Sequence, residues 1–335
     1  MENLVNSSPL ILVLVFLVIG FAFLMKGADF FVEGSSSIAK RLKVPPIIIG
    51  LTIVAMGTSL PETAVSVTAS LVNNNELAVS NVVGSNIFNL MVVVGVCSIL
   101  TPILVQKETI KRDIPFSMIC AFLLLGLGIL AVGDKIGMRL GHLDGIIMLG
   151  FFAGYIVAMI RSAMKARAAG INVEIEGIEE LEEEIGILSW PKSILFIIGG
   201  ALAIAFGGDL TVDAASRIAI DLGMSQTLVG LTIVSIGTSL PELVTSVVAA
   251  RKNEVDMAVG NAVGSNIFNI LMVLGIASAI NPVALIWENI IDIVILIVFS
   301  LIVWIYAATK RKISRKEGIS MVCLYLIYAG YIIWR

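Results

Sequence analysis

The chain has 335 residues, 58% of them hydrophobic and only 14% charged, and its mean hydropathy is +1.02. Soluble domains carry about 25% charged residues, so this chain lacks the polar surface that water requires and is expected to sit in a lipid bilayer. A formal charge of −3 leaves no basic face for nucleic acid, which is excluded as a partner.

A bilayer-crossing helix needs about 20 apolar residues. Ten such runs are predicted in chain order, over 9–39, 46–71, 78–100, 114–132, 142–162, 192–220, 226–250, 258–280, 288–309 and 317–334. They are far longer than the roughly 4–8 residues of a buried strand, so the expected fold class is an all-α integral membrane protein. The opening MENLVNSSP has no positive n-region, so the first run reads as a span rather than a cleaved leader. Cys97, Cys120 and Cys323 lie in or beside apolar runs with no paired spacing and read as packing residues. With the N-terminus outside, 17 of the 22 Lys and Arg fall in cytoplasmic loops. The positive-inside rule then predicts both termini outside and the central loop in the cytoplasm, in a plasma membrane.

The chain repeats itself. GLTIVAMGTSLPE at 50–62 matches GLTIVSIGTSLPE at 230–242 in 11 of 13 positions. AVSNVVGSNIFNLMVVVG at 78–95 matches AVGNAVGSNIFNILMVLG at 258–275 in 12 of 18, and one offset of 180 serves both. The predicted organisation is a first five-helix repeat over 1–165, an acidic loop over 166–191 and a second five-helix repeat over 192–335. Five is odd, so the second half enters from the opposite side, and the halves become inverted repeats with a site between them near the midplane, as in many secondary transporters. There is no phosphate loop, no enzymatic chemistry is expected, and one chain is expected to suffice as a monomer.

Glu62 and Glu242 each end a GTSLPE string inside a span. A charge there costs roughly 2.5–3.5 kcal/mol and usually faces a partner or a water-filled path. No basic residue is placed to neutralise either one, so the pair calls for a cation or for protons. Thr58 and Ser59 precede Glu62 by four and three residues, as Thr238 and Ser239 precede Glu242, which places each trio near one helical face. Pro61 and Pro241 deprive the Gly57 and Gly237 carbonyls of a helical partner, and such irregular backbone at depth lines cavities. Ser85 with Asn89, and Ser265 with Asn269, are spaced i, i+4. Oxygen donors of this kind suit calcium or sodium, with no inward His or Cys for a softer metal.

GTSLPE followed by GSNIFN, twice, resembles the paired repeats of the sodium/calcium exchanger family within the calcium/cation antiporter superfamily, in its prokaryotic form. The resemblance covers nearly the whole chain. It implies an antiporter whose transported ions are calcium and sodium, with no cofactor. It implies that Glu62 and Glu242 hold calcium with help from Thr58 and Thr238. Sodium would use oxygens of Ser59, Ser85, Ser239 and Ser265 and the backbone of Ala55 and Ser235, with Asn89 and Asn269 between the carboxylates. Some relatives, including the potassium-dependent branch, carry Asp at the position of Asn269, so Asn there argues against potassium co-transport. The acids Asp29, Glu33, Asp209 and Asp213, with nearby glycines, mark either gating helices or the water-accessible ends of long ones. The stretch 174–184, EIEGIEELEEE, reads as a solvated acidic loop. The same two Glu could instead couple calcium to protons, and a cation channel is the reading from another class.

Overall fold

A computed structural model of the protein describes residues 2–71, 75–130, 138–168, 187–224, 233 and 235–334. It is helical almost throughout. We label the helices α1 (Leu10–Leu42), α2 (Pro46–Thr58 and Leu60–Leu71), α3 (Ala78–Leu100), α4 (Thr109–Ile129) and α5 (His142–Ala168). The second half supplies α6 (Trp190–Asp221), α7 (Ser235–Gly237 and Leu240–Arg251), α8 (Val255–Ile280), α9 (Trp287–Lys310) and α10 (Arg315–Trp334). Among the described residues, eight of these are long and apolar enough to cross a membrane, or nine with the bent α2 counted as one span. The expected span 226–250 begins outside the described residues, and the acidic stretch 174–184 lies outside them entirely.

Burial sorts the helices into layers. In α3 and α8, 78% of the apolar window is buried, against 22% in α1 and 17% in α10. The two Ser- and Asn-bearing helices are therefore central, wrapped by α2 and α7, while α1, α5, α6 and α10 turn Leu, Ile and Phe outward. That surface would be untenable in water and suits lipid.

Four two-residue strands depart from the all-helical expectation: β1 (Ile103–Leu104), β2 (Arg139–Leu140), β3 (Val283–Ala284) and β4 (Lys312–Ile313). β1 pairs antiparallel with β4, and β2 with β3. Pro102 and Pro282 stop the helices before β1 and β3, and the connector backbone satisfies its polar groups across the two halves.

α1 and α6 pack against each other along glycines. Gly20, Gly27 and Gly34 recur every seven residues on α1; Gly20 meets Gly207 and Gly27 meets Gly200 of α6, while Gly34 lies against Ser193 and Phe196. A Cβ at Gly27 would lie 2.9 Å from the Gly200 carbonyl oxygen, and one at Gly207 would lie 2.6 Å from the Leu24 nitrogen. Such backbone contact is open only to residues without a side chain. Phe23–Phe206 and Phe30–Phe196 ring pairs flank the seam, with centroids 5.1 and 4.9 Å apart.

Candidate cation-binding site

The site begins with two breaks. In α2, Ser59 adopts φ −84°, ψ 12°, and Leu60–Thr68 turns 46° from Pro46–Thr58. In α7, Ser239 adopts φ −94°, ψ 4°. The prolines two residues later explain both, since neither can donate to the preceding turn. α3 and α8 loosen at matching places, where π-helical turns start at Asn89 and Asn269. Such turns are rare and frequent at functional sites.

These breaks aim the acids inward. Glu62 and Glu242 are both fully buried. Ser59 Oγ donates to Glu242 Oε1 at 2.9 Å, and Ser239 Oγ donates to Glu62 Oε1 at 3.3 Å. Each serine thus serves the carboxylate of the other half, although spacing alone places it beside its own glutamate. The bend at the serine turns its hydroxyl across the interface. Ser265 Oγ also donates to Glu242 Oε1 at 3.3 Å, and its counterpart Ser85 neighbours Glu62. Glu62 Oε2 and Glu242 Oε2 have no hydrogen-bond partner among the described residues. The basic side chains within spans are engaged elsewhere: Lys26 lies 3.8 Å from Asp29, and Arg217 lies 2.9 Å from Asp221.

A second shell surrounds the acids. Thr58 Oγ1 lies 3.0 Å from Asn261 Oδ1, and Thr238 Oγ1 lies 3.3 Å from Asn81 Oδ1. Asn261 Nδ2 donates to Ser246 Oγ at 3.0 Å, and Asn81 Nδ2 donates to Ser66 Oγ at 3.1 Å. Every contact in this set has its partner at an offset of 180. Asn86 Nδ2 donates to the Asn266 carbonyl at 3.2 Å, and Asn266 Nδ2 returns the bond to the Asn86 carbonyl at 3.1 Å. This reciprocal pair marks where the halves cross.

The two expected amides differ. Asn269 Nδ2 donates to Asn86 Oδ1 at 3.1 Å, whereas neither side-chain polar atom of the equally buried Asn89 has a hydrogen-bond partner among the described residues. Neither amide hydrogen-bonds to a carboxylate. The Ala55 carbonyl accepts the Ser59 N–H at 3.1 Å, one turn ahead of the break. Ser235 opens the short helix at the equivalent place in α7.

Asn81, Asn261, Ser66, Ser246, Asn86 and Asn266 were not singled out by the sequence reading. Their signal was present: Asn81, Ser85 and Asn89 are spaced i, i+4, i+8, and both Asn81 and Ser66 recur as the same residue 180 positions later.

Among the described residues no three His, Cys, Asp or Glu gather. The donor set is two carboxylates among hydroxyl, amide and carbonyl oxygens, which is the chemistry of a hard cation. The molecule is therefore a multi-span membrane protein with a buried oxygen-lined centre of formal charge −2.

Comparison with known proteins places that class more narrowly. A family model described as sodium/calcium exchanger protein matches residues 12–161 and 192–334. A putative antiporter, CaxA, of Alkalimonas amylolytica is 41% identical over 270 residues, covering 80% of this chain and 81% of that one. The sodium/calcium exchanger MaX1 of Methanosarcina acetivorans is 33% identical, covering 93% and 96%. A solved structure of the sodium-calcium exchanger NCX_Mj, soaked with sodium and calcium, superposes with a TM-score of 0.79 at 31% identity, covering 96% and 98%. The chain belongs to the sodium/calcium exchanger family.

Proposed function

We propose that the protein exchanges sodium for calcium across the membrane by alternating access, with calcium held between Glu62 and Glu242. The observation that carries this reading is the pair of buried carboxylates, each with one oxygen held by a serine of the opposite half and the other without a hydrogen-bond partner among the described residues. A centre of charge −2 is balanced by one divalent ion or by several monovalent ones. Calcium and sodium therefore compete for the same oxygens, and each must leave before the other binds. Ser59, Ser85, Ser239 and Ser265 with the Ala55 and Ser235 backbones serve sodium, Thr58 and Thr238 assist calcium, and Asn89 and Asn269 stand between the acids. Relatives named as sodium/calcium exchangers support this choice of ions. Asn269 supports transport without potassium.

The reading includes ten spans in two inverted halves, with both termini outside and the central loop in the cytoplasm. The strand pairs support the span count. β1 and β4 can meet only if an even number of crossings separates them, as can β2 and β3. Ten spans give six and four, whereas omitting 226–250 makes both counts odd. Both carboxylates come from one chain, which supports a functional monomer.

The test is calcium-45 uptake into proteoliposomes. An outward sodium gradient is expected to drive uptake, and a pH gradient alone is not. Uptake driven only by the pH gradient would show proton coupling, and uptake following voltage alone would show a channel. Either result overturns the proposal.

A further inference from the structure

α4 and α5 leave between them a cavity of about 570 Å³, far from the two glutamates along the chain and on the outer side of the helical layers. Phe116 of α4 and Ile147, Gly150, Phe151 and Gly154 of α5 form its walls, and Arg112 and Asp113 sit at one end. Its floor is Tyr155, stacked on Phe116 at 5.4 Å and anchored by its hydroxyl to the Leu51 carbonyl at 3.0 Å. Phe151 is 46% exposed, so the groove opens toward lipid. A Cβ added at Gly150 or Gly154 would meet no atom within 4 Å. These glycines thus widen the groove without bringing any helix closer, in a position where glycine is a poor helix former.

Length and charge define what fits. Residues 147 to 159 span about 18 Å along α5 at 1.5 Å per residue, close to the ~15 Å depth of one leaflet. Seven and eleven residues beyond Gly154, the same helical face carries Arg161 and Lys165, both exposed. Arg112 Nη1 donates to Ser162 Oγ at 2.9 Å, so the arginine end of the groove and this basic face adjoin. Asp113 neutralises Arg112 at 2.7 Å. Among the described residues no carboxylate lies within 4.0 Å of Arg161 or Lys165. An apolar channel one leaflet deep thus ends at two cations with no carboxylate partner among the described residues.

We propose that this groove binds one acyl chain of an anionic phospholipid, with the lipid phosphate held by Arg161 and Lys165. The occupant is drawn from the leaflet on the basic side of the protein. The inference stands apart from the ion reading, because it uses none of the same residues.

Native mass spectrometry of the full-length, delipidated protein tests it by titration with phosphatidylglycerol and phosphatidylcholine of matched chains. Each Lys or Arg near a membrane surface multiplies the attraction for anionic lipid about five-fold, so two give a preference for phosphatidylglycerol of about 25-fold. Arg161→Gln with Lys165→Gln is expected to erase that preference, weakening phosphatidylglycerol far more than phosphatidylcholine, whose choline already offsets its phosphate. Gly154→Trp fills the groove and is expected to weaken both lipids at least tenfold. Gly150→Leu does the same with a smaller side chain should the tryptophan variant fail to fold. Equal affinity of the unaltered protein for the two lipids overturns the proposal. So does undiminished phosphatidylglycerol binding in the charge variant or in the groove-filling variants.

Discussion

Glu62→Gln changes one atom type in the buried centre and halves its formal charge. Glu62 is fully buried, with Oε1 held by Ser239 and Oε2 without a hydrogen-bond partner among the described residues. Removing that charge relieves a cost of roughly 2.5–3.5 kcal/mol, so the ion-free variant is expected to melt at a higher temperature than the unaltered protein. Calcium then stabilises the two to different extents. Losing one partner of a buried charge interaction costs about 3–5 kcal/mol, or at least a hundredfold in affinity. At calcium equal to 100 times the original Kd, binding stabilises the unaltered protein by about 2.7 kcal/mol and a hundredfold weaker variant by about 0.4 kcal/mol. Glu242→Gln is expected to behave alike, because Glu242 is equally buried and its Oε1 is likewise held by a serine of the opposite half. The assay is thermal unfolding in detergent with and without calcium, paired with calcium-45 exchange. A calcium-dependent shift of unchanged size, or retained exchange, in either variant would refute the assignment of the two acids.

Asn261→Ala removes two buried hydrogen bonds, to Thr58 Oγ1 and Ser246 Oγ, each worth about 0.5–1.5 kcal/mol, and is expected to cost about 1–3 kcal/mol of stability. Asn81→Ala should cost a similar amount through Thr238 and Ser66, and unfolding curves in which neither variant falls would remove the shell from the site. Gly207→Val forces α6 away from the Leu24 backbone and is expected to destabilise the protein by about 1–3 kcal/mol, with exchange down at least tenfold. Gly199→Ala is the control, since a Cβ there meets nothing within 4 Å. Equal melting and equal flux in the two glycine variants would refute the role given to the α1–α6 seam.

The sequence made the two acids legible for a physical reason: in so apolar a chain a carboxylate inside a span stands out, and the repeat supplied it twice. The helices were equally readable, because long apolar runs admit few alternatives. What spacing could not convey was partnership across the halves. Thr58, Ser59 and Glu62 read as one helical face, yet the bend at Ser59 sends its hydroxyl to Glu242 and sets Thr58 against Asn261. Asn86 and Asn266 stood in plain view inside GSNIFN, but nothing local reveals that they exchange bonds with each other. The strands were invisible because two-residue pairings carry no periodicity, and β1 finds its partner 209 positions further on.

That distance fixes the order in which the molecule can be completed. Ile103 and Leu104 leave the ribosome long before Lys312 and Ile313 exist. At about 5–20 residues per second, translation of the intervening chain takes on the order of 10–40 s. Through that interval the nascent first half carries an open strand edge, one acid, Glu62, without its Ser239 donor, and one serine, Ser59, without its Glu242 acceptor. Biogenesis therefore ends as a late ring closure, set by synthesis of the last helix rather than by insertion of the first.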